Sequence, residues 1–293
     1  MTLSTTLTLN NGVEMPALGL GVFQSAPEET VSAVATAIGN GYRLIDTAAA
    51  YFNEEQVGEG LRQGGVDRGE IFVTTKLWMS DYGYDSALRG FDRSMRKLRL
   101  DQFDLYLLHW PAPGVFERTA ESWRALERLL AEGRTRAIGV CNFSPADLDR
   151  LAERAEITPA VNQVELHPHF AQAPLREADA ERGIVTQAWS PIGGVNRRRD
   201  GVDDPLADPV ITGIAERLGR TPAQVVLRWQ LEIGNGAIPK SVRPARIREN
   251  GGIFDFGLGA EDIAAISALD RGSRVGPDPA QVGPDTFGLV VED

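Results

Sequence analysis

The chain alternates short, uniformly apolar runs with longer amphipathic segments, and this alternation repeats eight times. Short apolar runs bounded by turn residues are typical of buried strands, and the segments between them carry apolar residues at helical spacing. Strands that are apolar throughout belong to parallel sheets covered by helices on both faces. The sequence therefore predicts eight strands at residues 17–22, 43–46, 71–76, 103–109, 137–140, 160–166, 184–189 and 237–239.

Eight strand–helix units close a parallel barrel, and 293 residues is an ordinary length for one. We predict a (β/α)8 TIM barrel of the α/β class that forms a single domain over residues 1–293. A β-hairpin around Asn11-Gly12 would precede it, and extra helices would follow the seventh strand. The alternative is an open doubly wound sheet. That fold would need a Gly-x-Gly-x-x-Gly turn after the first strand, and Gly19-Leu-Gly21 is too short for it.

Local signals indicate where helices begin. Ser25 and Glu28 have the spacing of a capping box, which predicts a first helix over residues 25–40. Ser144-Pro145 opens a later helix in the same way, with proline at a first helical position.

The net charge of the chain indicates which binding partners are unfavourable. A net charge of −11 argues against nucleic acid and against anionic membranes, and no apolar run approaches the ~20 residues that span a bilayer. Cys141 is the only cysteine, which fits a reducing compartment. The first residues lack the basic and apolar regions of a signal peptide, so we expect a cytoplasmic protein.

Four residues with proton-transfer chemistry follow three of the predicted strands. Asp46, Lys76 and His109 each close a strand, and Tyr51 lies five positions after Asp46. All strand ends of a parallel barrel open on one face, so these side chains would form one cluster. Each alone has an ordinary structural explanation, but four complementary groups on one face favour catalysis.

Several motifs resemble the aldo-keto reductases, in the same order and over nearly the whole chain. They are Gly41-Tyr-Arg-Leu-Ile-Asp-Thr-Ala, Tyr51-x-Asn-Glu, Asp104-Leu-Tyr-Leu-Leu-His-Trp-Pro, Gly139-Val-Cys-Asn-Phe, Asn162-Gln-Val-Glu-Leu-His-Pro and Ile238-Pro-Lys-Ser. The ending Arg274-Val-Gly-Pro-Asp-Pro is most similar to the bacterial branch that includes 2,5-diketo-D-gluconate reductases.

The resemblance implies a (β/α)8 barrel that reduces aldehydes or ketones with NADPH and uses neither metal nor flavin. It makes Asp46, Tyr51, Lys76 and His109 the catalytic tetrad. It also makes 2,5-diketo-D-gluconate or related dicarbonyls candidate substrates. Because monomers are common in this family, we expect a monomer whose partner is a small carbonyl compound.

The side chains suggest a mechanism. Tyrosine is a weak acid with a pKa of ~10, and a nearby lysine ammonium would lower that pKa and make Tyr51 a better general acid. Asp46 would hold Lys76 charged and aimed at the tyrosine. His109 would donate to the substrate oxygen and orient the carbonyl.

A basic segment in this acidic chain predicts a phosphate site. Lys240, Arg243, Arg246 and Arg248 surround a helix start, where free amides and guanidinium groups bind phosphate. By resemblance, Lys240, Ser241, Arg243 and Arg246 would hold the 2′-phosphate of NADPH. The remaining cofactor contacts would be Val242 in the same segment, Glu249 and Asn250 near the adenine, Asn142 and Gln163 on the carboxamide, Ser190 nearby, and Trp189 stacked on the nicotinamide.

Phe23, Trp78 and Trp110 would line an apolar substrate pocket. The loop with Arg197–Arg199 follows the proposed stacking residue, and it either adds positive charge at the entrance or is a solvated loop. Two positions depart from the family pattern: Cys141 stands where serine is common, and Ile192 where leucine is common. Both concern cofactor affinity and remove no required group.

Two other functions remain open at this point. His167-Pro-His169 has an alternating spacing seen in metal sites, which suggests a metal-dependent hydrolase, although the chain has only three histidines to complete one. The other is a nucleotide-binding regulatory or scaffold protein, because some aldo-keto reductases serve as channel subunits.

Overall fold

The computed structural model describes residues 5–194 and 204–292. Its strands form a two-stranded hairpin and an eight-stranded parallel sheet in the order β10-β9-β8-β7-β6-β5-β4-β3. The strands are β1 (Thr6–Thr8), β2 (Glu14–Pro16), β3 (Leu20–Gly21), β4 (Leu44–Asp46), β5 (Phe72–Leu77), β6 (Phe103–Leu108), β7 (Thr135–Cys141), β8 (Val161–Glu165), β9 (Val185–Trp189) and β10 (Gly236–Ala237).

The sheet closes on itself between its first and last strands. Parallel bridges pair Leu18 with Ala237 and Gly21 with Lys240, and the Gly19 amide donates to the Ala237 carbonyl at 2.9 Å. Closure leaves no unpaired edge and excludes the open doubly wound alternative. The predicted (β/α)8 fold is confirmed.

Helices follow the strands on the outside of the barrel. They are α1 (Pro27–Gly39), α2 (Glu54–Gln63), α3 (Tyr84–Leu98), α4 (Phe116–Ala131), α5 (Pro145–Ala152), α6 (Ala173–Glu181), α7 (Pro209–Leu218), α8 (Pro222–Glu232), α9 (Pro244–Gly251) and α10 (Ala260–Ser267). No helix in these two ranges is long and apolar enough to cross a membrane.

The start of α1 corrects one prediction. Ala26, with φ −61° and ψ 150°, is the N-cap and makes no side-chain cap bond, and Ser25 Oγ is buried without a hydrogen-bond partner in the part of the chain that is described. Proline disfavours helical backbone in the residue before it. Pro27 therefore makes Ala26 the N-cap, one residue after the predicted N-cap Ser25. The cap at Ser144 is as predicted, with Asp147 completing a capping box.

The predicted hairpin is confirmed, with Thr6 paired to Pro16 and Thr8 to Glu14. Its Met15 is fully buried in one apolar cluster with Leu44 and Phe72, the first residues of β4 and β5. The hairpin therefore closes that end of the barrel, and the carboxyl ends of the strands remain for the site.

Candidate active site

The carboxyl ends of β4, β5 and β6 bring the four predicted catalytic residues together. Asp46 is the last residue of β4, Lys76 is next to last in β5, and His109 follows β6 directly. Tyr51 ends a short 3-10 helix, Ala49–Tyr51, that begins three residues after Asp46. Parallel pairing aligns these strand ends, because Asp46 lies opposite Thr74 and Lys76 opposite Leu107.

Lys76 is the centre of the cluster. Its Nζ donates to Asp46 Oδ1 at 2.6 Å, to the Thr47 carbonyl at 2.9 Å and to Tyr51 Oη at 3.4 Å. Burial alone lowers the pKa of Lys76, but Asp46, Tyr51 and Cys141 together outweigh this effect and raise the pKa above its ordinary value. Lys76 is therefore a permanent ammonium with all three protons committed, one of them to Tyr51.

Tyr51 behaves differently from the prediction. Burial raises the pKa of Tyr51 to about 12, and the Lys76 ammonium opposes this rise without cancelling it. The predicted net lowering is wrong because the sequence could not show how strongly the phenol is desolvated. The phenol therefore keeps its proton at neutral pH, as a proton donor requires.

His109 is held as a neutral ring beside Tyr51. The two ring centroids are 5.7 Å apart, and Trp78 packs edge-on against His109 at 5.0 Å. Burial, followed by the nearby Lys76 charge, lowers the pKa of His109 well below its usual range. Its Nδ1 is buried with no hydrogen-bond partner among the described residues. A neutral ring protonated on Nε2 can donate one hydrogen bond without carrying a charge.

Gln163 joins the tetrad to the next strands. Its Nε2 donates to Asp46 Oδ2 at 2.8 Å and to Gln187 Oε1 at 2.8 Å, so the second oxygen of the carboxylate is also bound. Cys141 Sγ lies 3.9 Å from Gln163 Oε1, and burial raises the pKa of this thiol. Cys141 thus remains protonated next to the amide that was predicted to contact a carboxamide.

Asn142 and Trp189 form a second polar pair at the ends of β7 and β9. Trp189 Nε1 donates to Asn142 Oδ1 at 2.9 Å, and Asn142 Nδ2 donates to the His109 carbonyl at 3.0 Å. Asn142 (φ 65°) and Ser190 (φ 49°) have left-handed backbone, an arrangement that persists where the surroundings enforce it. Asn142 therefore borders the tetrad directly, and Trp189 is joined to it through Asn142.

The predicted phosphate residues lie at the start of α9. Arg243 is its N-cap and makes no side-chain cap bond, and Ser241 Oγ accepts from the Arg243 amide at 3.2 Å. Within residues 5–194 and 204–292, Lys240, Arg243 and Arg246 form no ion pair with a carboxylate, whereas Arg248 donates to Asn40 Oδ1 at 3.4 Å. Uncommitted cations beside free helix amides fit a phosphate group.

The other predicted residues of this segment are less available. Glu249 Oε1 accepts from Thr221 Oγ1 at 2.8 Å, which ties α9 to the cap of α8, and Asn250 is buried. Val242 is half-buried and packs on the main core. Arg197–Arg199 lie outside the described residues.

The residues predicted to line the substrate pocket are packed among other aromatic rings, and one of these rings was missed by the sequence analysis. Phe23 packs edge-on against Tyr51 at 5.0 Å. The ring centroid of Phe287, in the C-terminal segment, lies 5.5 Å from that of Trp78 and 5.8 Å from that of Trp110. Trp78 Nε1 donates to the Leu289 carbonyl at 3.0 Å. Phe287 carries no periodic or motif signal, so only the folded chain identifies it.

Asn53 is a second missed residue, and it fixes the segment that carries Tyr51. Its Oδ1 accepts from Thr47 Oγ1 at 3.1 Å, and its Nδ2 donates to the Val22 carbonyl at 3.0 Å. The Tyr51-x-Asn-Glu spacing was a signal for this role, because the asparagine lies two residues from the tyrosine.

The histidines of the metal-site alternative are held by other groups. His167 Nε2 lies 3.2 Å from Glu165 Oε1, and His169 Nε2 lies 2.9 Å from Arg271 Nη2. The described part of the chain contains no cluster of three or more His, Cys, Asp or Glu side chains that could hold a metal ion. A guanidinium beside a histidine nitrogen disfavours a cation at that nitrogen.

Comparison with known proteins identifies the family. The model of the aldo/keto reductase family matches residues 17–271. Morphine 6-dehydrogenase of Pseudomonas putida is 56% identical over 290 residues, covering 97% of this chain and 98% of that protein. Glyoxal reductase of Bacillus subtilis is 47% identical over 282 residues, covering 96% and 98%.

A solved structure agrees with this result. The crystal structure of a Bombyx mori aldo-keto reductase in complex with NADP superimposes with a TM-score of 0.89 at 35% sequence identity, covering 96% of this chain and 98% of that one. Sequence, fold and the arrangement of Asp46, Tyr51, Lys76 and His109 point to one conclusion. The chain belongs to the aldo/keto reductase family.

Proposed function

We propose that the chain reduces aldehydes or ketones to alcohols with NADPH, and that Tyr51 is the proton donor. The observation that supports this most strongly is the contact of Lys76 Nζ with both Asp46 Oδ1 (2.6 Å) and Tyr51 Oη (3.4 Å). That contact gives the phenol a fixed cationic neighbour, and the phenol itself stays protonated.

The four residues of the tetrad have different roles at the carbonyl oxygen. When bound, NADPH supplies the hydride. His109 donates to the oxygen and orients it, and Tyr51 delivers a proton as negative charge develops there. The Lys76 ammonium stabilises the phenolate that remains, and Asp46 keeps the ammonium in place. The apolar walls of Phe23, Trp78 and Trp110 reduce the dielectric constant around these charges.

The cofactor assignment rests on charge and position. Lys240, Arg243 and Arg246 lie at or just before the start of α9 and pair with no carboxylate among the described residues, and a 2′-phosphate is the group that distinguishes NADPH from NADH. The relative from Bombyx mori carries NADP in its crystal structure. Asn142 and Gln163 would contact the carboxamide, with Trp189 stacked on the ring and Ser190 alongside. Ser241, Val242, Glu249 and Asn250 would complete the adenine end.

For the substrate we propose a small carbonyl or dicarbonyl compound. Trp78 packs against His109, and Phe287 packs against Trp78 and Trp110, so these rings and Phe23 would line an apolar pocket. A relative at 47% identity is a glyoxal reductase. The branch that includes 2,5-diketo-D-gluconate reductases stays a prediction from the ending of the chain. Morphine 6-dehydrogenase, at 56% identity, makes a bulky alcohol a candidate in the reverse direction.

A substrate panel tests this function. Purified protein is assayed for NADPH oxidation with glyoxal, 2,5-diketo-D-gluconate and a simple aromatic aldehyde, and for NADP reduction with morphine. We expect turnover with at least one carbonyl and faster turnover with NADPH than with NADH. No turnover with any of them, although NADPH binds, would favour the regulatory alternative. The same preparations, examined by gel filtration, test the proposal that the whole chain works as one monomeric unit.

A further inference from the structure

Glu165 holds a distant part of the chain against the carboxyl ends of the strands. It is the last residue of β8, and its side chain is 0% exposed. Its carboxylate accepts from the backbone amides of Val275 at 2.6 Å and Gly276 at 2.8 Å. Arg274 Nη1 lies 3.8 Å away, and its guanidinium stacks on Phe170. We call residues 274–276 the strap.

The strap lies directly on the indole of Trp189. A Cβ added to Gly276 would be 2.4 Å from Trp189 Cη2 and 2.7 Å from Glu165 Oε2, so only glycine fits between these two side chains. The opposite part of the indole is also held, because Nε1 donates to Asn142 Oδ1 at 2.9 Å. Trp189 is thus fixed through two independent contacts.

We propose that Glu165 is a positioning residue for the cofactor: through the strap it holds Trp189 in the orientation that stacks on the nicotinamide ring. This inference rests on the proposed function, because it assumes that NADPH binds beside Trp189. Glu165 itself touches neither Tyr51 nor Lys76 by any hydrogen bond or ion pair in the described residues. Glu165 is also the register partner of Trp189 in the β8–β9 pairing, and the proposed effect of its side chain runs through the strap and the indole.

A purely structural role for the strap makes a different prediction. If the strap only stabilises the fold, disturbing it changes the binding of all parts of NADPH together, or of none. If it positions Trp189, the loss is confined to ligands that contain nicotinamide. Adenosine 2′,5′-bisphosphate carries the adenine and 2′-phosphate without that ring, so it separates the two cases.

The test compares Gly276→Ala with Gly283→Ala by calorimetric titration. Gly283 lies in the same C-terminal segment, and a Cβ there would meet no atom within 4 Å, so it is the matched control. We expect Gly276→Ala to weaken NADPH binding about 5- to 10-fold, the value of one well-placed aromatic stack. Binding of the bisphosphate should be unchanged, and Gly283→Ala should change neither.

Three further variants complete the experiment: Glu165→Gln, Trp189→Ala and the double variant Trp189→Ala/Gly276→Ala. Glu165→Gln keeps the shape and one acceptor, so it should give a smaller loss of the same kind. In a Trp189→Ala background, Gly276→Ala should cause no additional loss, because the indole that it displaces is gone. Thermal unfolding of each variant shows whether it is folded.

Equal weakening of NADPH and the bisphosphate by Gly276→Ala would overturn the positioning role. An undiminished loss in the Trp189→Ala background would also overturn it. Failure of the unsubstituted protein to bind NADPH would instead refute the proposed function, so the two failures are distinguishable.

Discussion

The ammonium of Lys76 lies 2.6 Å from Asp46 Oδ1 in the interior of the barrel, and the two side chains are 0% and 1% exposed. Such a pair contributes little net stability, because desolvation of both charges offsets their attraction. Its presence is better explained by the third group in contact with Lys76, the hydroxyl of Tyr51.

Breaking the pair should be costly. Asp46→Ala leaves a buried ammonium without its counter-charge, and we expect the free energy of unfolding to fall by about 3–5 kcal/mol. Adding Lys76→Met removes that charge and should restore much of the loss. Urea unfolding followed by circular dichroism measures both. If Asp46→Ala alone were as stable as the parent, the expected cost of an unpaired buried ammonium would be contradicted.

The pH dependence follows from Tyr51 and His109. Burial raises the pKa of Tyr51 to about 12, so the phenol stays protonated throughout the neutral and mildly alkaline range. The pKa of His109 is well below its usual range, so the ring stays neutral. We expect kcat/KM for carbonyl reduction to be flat from about pH 7 to 9. If kcat/KM of the parent changed with a midpoint near pH 8, and this change were absent from Tyr51→Phe, the raised pKa of Tyr51 would be contradicted.

The histidine should act through its hydrogen bond. His109→Ala removes the donor to the carbonyl oxygen, and we expect kcat/KM to fall about 10²- to 10³-fold, as when one oxyanion donor is lost. His109→Gln retains an N–H donor and should keep more activity. Steady-state kinetics with one carbonyl from the panel measures both. Equal activity of the alanine variant and the parent would exclude His109 from the reaction.

The preference for NADPH over NADH should depend on Arg246 in α9. Arg246→Ala removes a cation that pairs with no carboxylate in the described part of the chain, and we expect NADPH affinity to fall about 10-fold while NADH affinity changes little. Arg248→Ala is the matched control, because Arg248 lies on the same helix and contacts Asn40 instead. Fluorescence titration with both nucleotides measures the effect. Equal weakening of NADPH and NADH by Arg246→Ala would refute the phosphate assignment.

The barrel was predictable because its signals are local. Each short apolar run forms a buried strand, and the strands lie side by side in chain order. Asp46, Lys76 and His109 could therefore be assigned to one face of the barrel. Ser25 shows the limit of such signals. A capping box and a proline compete over the same helix start, and Pro27 determines it.

The remaining features depend on packing between distant segments. The pKa of Tyr51 depends on how completely the folded chain desolvates the phenol, and the direction of its shift was predicted incorrectly. Phe287 reaches Trp78, and Gly276 reaches Trp189, from a C-terminal segment without regular periodicity. Gln163 was predicted to contact the cofactor, and its hydrogen bond to Asp46 appears only when β8 and β4 face each other across the barrel.

Tyr51→Phe is the most direct test of the account. The substitution removes one oxygen, the proposed proton donor, and leaves the ring that packs against Phe23 and His109. We expect kcat for carbonyl reduction to fall at least about 10²-fold while the dissociation constant for NADPH and the unfolding temperature stay nearly constant. Retention of most of the parental turnover in this folded, NADPH-binding variant would contradict the assignment of Tyr51 as the proton donor.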